Sequence, residues 1–124
     1  ERGLLDFNEE MGILIQEVVG SKIGNYFFPP FAGVAFSRND YRWSQKIKSE
    51  DGIVRLVAGL GTRAVDRTGQ DFPVLMSPGQ PKLRINVSTE EIIRYAQKNM
   101  DVVNLEKGCL ETVSTEKIIK EYVQ

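Results

Sequence analysis

The chain has 124 residues, 41% hydrophobic and 27% charged, a size and balance that fit one soluble domain or a large subdomain. Its 16 basic and 17 acidic side chains sum to a formal charge of −1, too weak a field to gather nucleic acid or anionic lipid, so neither is expected as a partner. With no histidine, phosphohistidine chemistry and imidazole ligation are excluded within the chain, and with Cys109 as the one cysteine no internal disulfide can form.

A lone thiol suits a reducing cytoplasm, and Cys109 reads as a small buried apolar residue in a strand. No apolar run approaches the ~20 residues of a membrane span and no leader pattern is visible, so a cytoplasmic protein is expected. Asn86-Val87-Ser88 matches the glycosylation sequon and reads as coincidence. The opening residue is Glu1 rather than methionine, which suggests a piece of something longer.

Leu4, Leu5, Phe7 and Met11 have helical spacing and predict a short leading helix. Met11 to Val19 is a nearly unbroken apolar run rich in branched residues, and predicts a strand covered on both faces. Gly20 to Gly24 reads as a polar loop. Tyr26-Phe27-Phe28 is extended up to Pro29-Pro30, which blocks a helix. Ala32 to Ser37 predicts a second strand, closed by the polar turn Arg38-Asn39-Asp40. Tyr41 to Asp51 mixes aromatics with charge, as a surface loop or edge segment would.

Ile53 to Ala58 predicts a third strand, interrupted by Arg55 and running into Gly59-Leu60-Gly61. Thr62 to Arg67 then begins a helix or forms a tight polar turn. Thr68 to Arg84 carries three prolines and reads as a long ordered loop or extended arm. Ser88 with Glu91 makes a capping box, and Ile92, Ile93, Ala96 and Met100 would place one stripe on a helix. Val102 to Leu105 and Cys109 to Val113 predict a hairpin around Glu106-Lys107-Gly108. Ser114-Thr115-Glu116 would cap a last helix with Ile118, Ile119, Tyr122 and Val123 inward. The mixed order gives an α+β class.

Three polar groups stand at strand ends, where open sheets present binding residues. Gln16 and Glu17 interrupt the first apolar run, so they either find partners or lie on an edge facing water. Arg38, after the second strand, could clamp a phosphate through paired donors. Gly59 and Gly61 let backbone approach a ligand, while Arg63 and Arg67 would share a helical face, with Asp66 to hold one of them or a metal. The turn is neither a Walker loop nor a dinucleotide fingerprint.

Gly12-Ile13-Leu14-Ile15-Gln16-Glu17-Val18-Val19, Ala32-Gly33-Val34-Ala35-Phe36-Ser37-Arg38-Asn39 and Leu56-Val57-Ala58-Gly59-Leu60-Gly61 resemble three consecutive blocks of one family. It is the pyruvate phosphate dikinase and phosphoenolpyruvate synthase family, in its N-terminal PEP/pyruvate-binding domain. The blocks span about residues 9–68, and the tail over about 88–123 resembles the family more loosely. The resemblance implies part of an ATP-grasp domain, its second subdomain, built mainly of antiparallel sheet with flanking helices.

It also implies one wall of an ATP site. Gln16, Glu17, Gly59, Gly61, Thr62 and Arg63 would bind the nucleotide, Arg38 and Arg67 would act on the phosphates, and Asp66 would hold magnesium. The phosphoryl group would pass from ATP to a histidine on another domain and then to pyruvate. The parent chain would therefore supply the first subdomain, a phosphohistidine domain and a pyruvate domain. A homodimer through an uncovered apolar face is the other partner expected. Thr62 stands where the family has glutamate, and Val54, Arg55 and Leu56 fill the region of an upstream acidic ligand. A non-catalytic nucleotide-binding or interaction module on the same fold is the alternative. The three strands are expected to bring Gln16, Arg38 and the Gly59–Arg67 bend to a single rim.

Overall fold

The computed structural model describes residues 11–65 and 71–122. Seven strands and three helices follow in order: β1 Ser21–Ile23, β2 Tyr26–Phe28, β3 Ala32–Phe36, β4 Ile53–Val57, α1 Thr62–Val65, β5 Val74–Met76, α2 Thr89–Arg94, β6 Asn99–Asn104, β7 Cys109–Ser114 and α3 Thr115–Tyr122. The strands make two antiparallel sheets, a four-stranded one ordered β1-β2-β6-β7 and a three-stranded one ordered β3-β4-β5. The α+β expectation holds.

The main core lies on one face of the four-stranded sheet. Phe28, Met100, Val102 and Val113 point to that face and meet Ile118 of α3, with Ile23, Tyr26 and Tyr122 packed around them. Val102 is wholly buried. Removing each such side chain from water stabilises the fold by about 1.5–3 kcal/mol. The β6–β7 hairpin turns through Gly108 at φ 63°, where an L side chain would be strained. Asn104, itself buried, holds that turn by accepting from the N–H groups of Glu106 and Lys107. Residues opposite on an antiparallel pair share a face, so Asp101 and Thr112 project together from the other side of the sheet.

The three-stranded sheet is less covered. Ile53 and Val57 are buried on one face, where Arg55 also lies over the Phe36 ring at 5.8 Å. This contact accounts for a cation in an otherwise apolar strand. On the other face Val74 is 64% exposed and Met76 37%.

Four sequence expectations are corrected. Met11–Val19 is not a strand covered on both faces: it has no regular secondary structure, pairs with no described strand and is exposed, with Ile15 at 89% and Val19 at 83%. An apolar run becomes a covered strand only when neighbours lie beside and above it, and no described strand pairs with this one. The predicted Gly20–Gly24 loop contains β1, drawn into pairing with β2. The capping box forms, with Ser88 accepting from the Glu91 N–H, but α2 stops at Arg94. Met100 belongs to β6, and Ile92, Ile93 and Ala96 are left exposed, because sheet pairing claims the chain from Asn99 onward. Cys109 lies in a strand as expected, yet it is exposed rather than buried, at the turn end of the edge strand β7.

The predicted leading helix over Leu4–Met11 lies almost wholly outside the described residues, as do Asp66, Arg67 and Val123. In α3, Ile118 is buried while Ile119 is 52% exposed, so the inward stripe is narrower than the spacing implied. Among the described residues no helix is long and apolar enough to cross a membrane.

Candidate functional site

β4 leaves its sheet at Val57 and runs through Ala58-Gly59-Leu60-Gly61 into α1. This turn does not stand alone, because the N-terminal end of β6 grips it at several points. The Gln97 amide holds Ala58 on both sides, accepting from its N–H at 2.7 Å and donating to its carbonyl at 3.0 Å. The Leu60 N–H donates to the Asp101 carbonyl at 2.9 Å. Gly59 has φ 78° and is buried against β6.

The side chains continue the grip. Thr62 Oγ1 donates to Asp101 Oδ2 at 2.6 Å, and Arg63 Nη2 lies 3.1 Å from Asp101 Oδ1. Arg63 Nη1 donates to Asp71 Oδ2 at 2.8 Å. Thr112 steadies Asp101 by donating to its Oδ1 at 2.7 Å. Asp71 in turn accepts from the Lys98 and Asn99 N–H groups and from the Asn99 amide. The Arg63 and Asp71 side chains are only 12% and 6% exposed, so solvent screens their pair weakly. Arg63 Nε is buried without a partner.

Burial pushes the Asp71 carboxyl up. Hydrogen bonds from Asn99 and Lys98 and the charge of Arg63 outweigh it and hold the group below the usual carboxylate range. Asp101 behaves alike: burial raises it, while donors on Thr62, Thr112 and Arg63, with the Arg63 charge, bring it down. Both carboxylates are therefore ionised and already satisfied by the protein.

The predicted residues do not share one rim. β3 and β4 pair from Ala32↔Val57 at one end to Phe36↔Ile53 at the other. Arg38 lies beyond the second end and the Gly59–Arg63 turn beyond the first, so about 14 Å of strand separates the two ends. Arg38 is exposed, while its neighbour Asn39 is wholly buried, donates its N–H to Ser49 and takes the Tyr41 N–H on its side chain. Gln16 and Glu17 are exposed on the Met11–Val19 segment, so neither needs a buried partner. Gly59, Gly61, Thr62 and Arg63 stay together because they are consecutive in the turn.

Sequence reasoning passed over Asp71, Gln97, Asp101 and Thr112. Asp101, a carboxylate between buried Met100 and Val102, carried a signal, since such a group needs partners. Among the described residues, no three of His, Cys, Asp and Glu gather closely enough to hold a metal, and the Asp71 and Asp101 oxygens are engaged by Arg63. The described residues therefore do not fit a magnesium site by themselves. An open hollow of about 450 Å³ lies between Gln97–Lys98 and the start of α3, and none of the predicted residues lines it.

A family model described as "Pyruvate phosphate dikinase, AMP/ATP-binding domain" matches residues 1–124. The chain belongs to this family. The match takes in the helix–hairpin–helix tail as well as the three blocks over 9–68, so the pyruvate phosphate dikinase relationship extends through β6, the strand that grips the turn. It supports ATP binding, and the two antiparallel sheets with few helices agree with part of an ATP-binding domain. No curated protein and no solved structure matches the chain.

Proposed function

We propose that the chain forms one wall of the ATP site of an ATP-dependent phosphotransferase resembling phosphoenolpyruvate synthase and pyruvate phosphate dikinase. The observation that carries this reading is the family match over the whole length. The Gly59–Arg63 turn is its phosphate-side element, with Gly59 and Gly61 bringing backbone close to the ligand and Thr62 and Arg63 beside it. Gln16 and Glu17, on the exposed Met11–Val19 segment, line the base side, and Arg38 and Arg67 act on the phosphates. Asp66 is the carboxylate proposed for the metal. Because Arg38 and the turn lie at opposite ends of the β3–β4 ladder, the nucleotide reaches both only by lying lengthwise along it.

The rest of the parent chain supplies the opposite wall, the phosphohistidine and the pyruvate site, in the cytoplasm. The exposed faces of Val74 and Met76 and the Met11–Val19 strip are where that wall, or a second copy, would seat. Thermal-shift titration of the full-length protein with ATP, with and without magnesium, tests the reading. A rise in melting temperature that shrinks in Arg38→Ala is expected, and no shift in a well-folded protein would count against it.

A second reading, a non-catalytic nucleotide-binding or interaction module, is favoured by one observation. The Thr62 hydroxyl and both Arg63 Nη groups are engaged by Asp71 and Asp101, within the chain. Phosphate release or AMP formation by the full-length protein, lost in Arg67→Ala, would exclude it.

A further inference from the structure

Most of the hydrogen bonds that pin the Gly59–Arg63 turn to the rest of the chain come from the start of β6, and from Asp71, which β6 itself holds. Asp101 alone makes three separate bonds to it: its carbonyl takes the Leu60 N–H, Oδ2 takes the Thr62 hydroxyl, and Oδ1 meets the Arg63 guanidinium. Thr112, directly across the β6–β7 ladder, aims the carboxylate by donating to Oδ1. The turn also rests on β3, where a Cβ built on Gly61 would stand 3.5 Å from Ala32, while Thr62 is exposed and Val65 is 57% exposed. Asp101 thus makes more of these bonds than any other residue while Thr62 stays open to solvent, and a turn held still in this way lowers the ordering cost of binding a ligand there.

We propose that Asp101 is a positioning residue for nucleotide binding, acting through Thr62 and Arg63 to preset the turn that meets the phosphates. This rests on the ATP reading above. Asp101 touches no nucleotide. Its carboxylate faces the turn, and both of its oxygens are occupied by Thr62, Arg63 and Thr112. Losing the charge frees Arg63 to follow Asp71 alone, and the turn then samples positions that ATP must select among.

The test is titration calorimetry of ATP into the full-length protein, run well below the melting temperature. Asp101→Asn keeps the size of the side chain but removes its charge, and is expected to weaken ATP binding roughly five- to tenfold. Thr112→Val, isosteric and suited to a strand, removes only the hydroxyl that aims Asp101, and should weaken binding roughly two- to threefold. Val113→Ala trims the core on the other face of the sheet, so it lowers the melting temperature while leaving ATP affinity unchanged.

Unchanged affinity in both Asp101→Asn and Thr112→Val overturns the proposal. So does an equal loss in Val113→Ala, which would make the effect one of stability alone. Absence of ATP binding by the unsubstituted protein overturns the nucleotide reading and this inference together, and that result is distinct from the other two.

Discussion

Gly59 rests so closely on Asp101 that a Cβ at position 59 would stand 2.6 Å from the Asp101 carbonyl oxygen. Its φ of 78° adds a second reason for glycine. Gly59→Ala should therefore cost about 2–4 kcal/mol, from backbone strain and from pushing the turn off β6. Urea unfolding of the substituted chain measures it, and a change under about 0.5 kcal/mol would show that the close approach does not hold the turn.

Asp71 anchors the other arm of Arg63 and also takes two backbone N–H groups at the start of β6. Asp71→Ala leaves all of these without their acceptor in a poorly solvated place. The expected loss is about 3 kcal/mol. A double-mutant cycle with Arg63→Met should return a coupling energy of about 1–3 kcal/mol. Additive losses would mean that the pair contributes only through separate packing.

The same carboxylates set the acid response. Both have pKa values lowered by folding, so their contribution is fully present above the ordinary aspartate value near 3.8 and drains away as pH falls from there through the folded values. Stability followed by urea unfolding between pH 6 and pH 2, approximate limits that bracket this range, should fall steeply at the acid end. In Asp101→Asn that acid limb should be shallower. An equally steep limb would place the acid sensitivity elsewhere.

The Met11–Val19 strip is exposed in the isolated chain, so it contributes little to its stability but presents an apolar segment to other molecules. Leu14→Lys should change unfolding free energy by less than about 0.5 kcal/mol. It should also reduce light scattering by concentrated samples of the isolated chain, since a charge breaks the apolar run. A large loss of stability would mean that the segment is packed rather than free.

Much of the fold was legible because it is local. Ala32 to Ser37 and Ile53 to Ala58 gave β3 and β4 to within a residue, Ser88 and Glu91 gave the start of α2, and Gly108 gave the β6–β7 turn. What was not legible depended on distant partners. Apolarity marked Met11–Val19 as an element that wants covering, but cannot say whether the covering residues lie within the same chain. Alternation could not decide that Met100 joins a strand rather than a helix stripe, because its fate depends on Val113 across the ladder. For the site, the turn at Gly59–Arg63 was readable from its glycines. That Thr62 and Arg63 face Asp101 and Asp71 was not, since no short spacing links those positions.

The Gln97 grip on Ala58 spans 39 residues of chain. A turn whose shape depends on a segment so far downstream cannot be finished when it leaves the ribosome. The β3–β4 hairpin can zip early from neighbouring residues, whereas the turn must wait for β6 to be synthesised and for a long loop to close. The nascent chain can therefore form the hairpin before this turn takes its final shape, and a pause in synthesis before Gln97 would leave the turn without that grip.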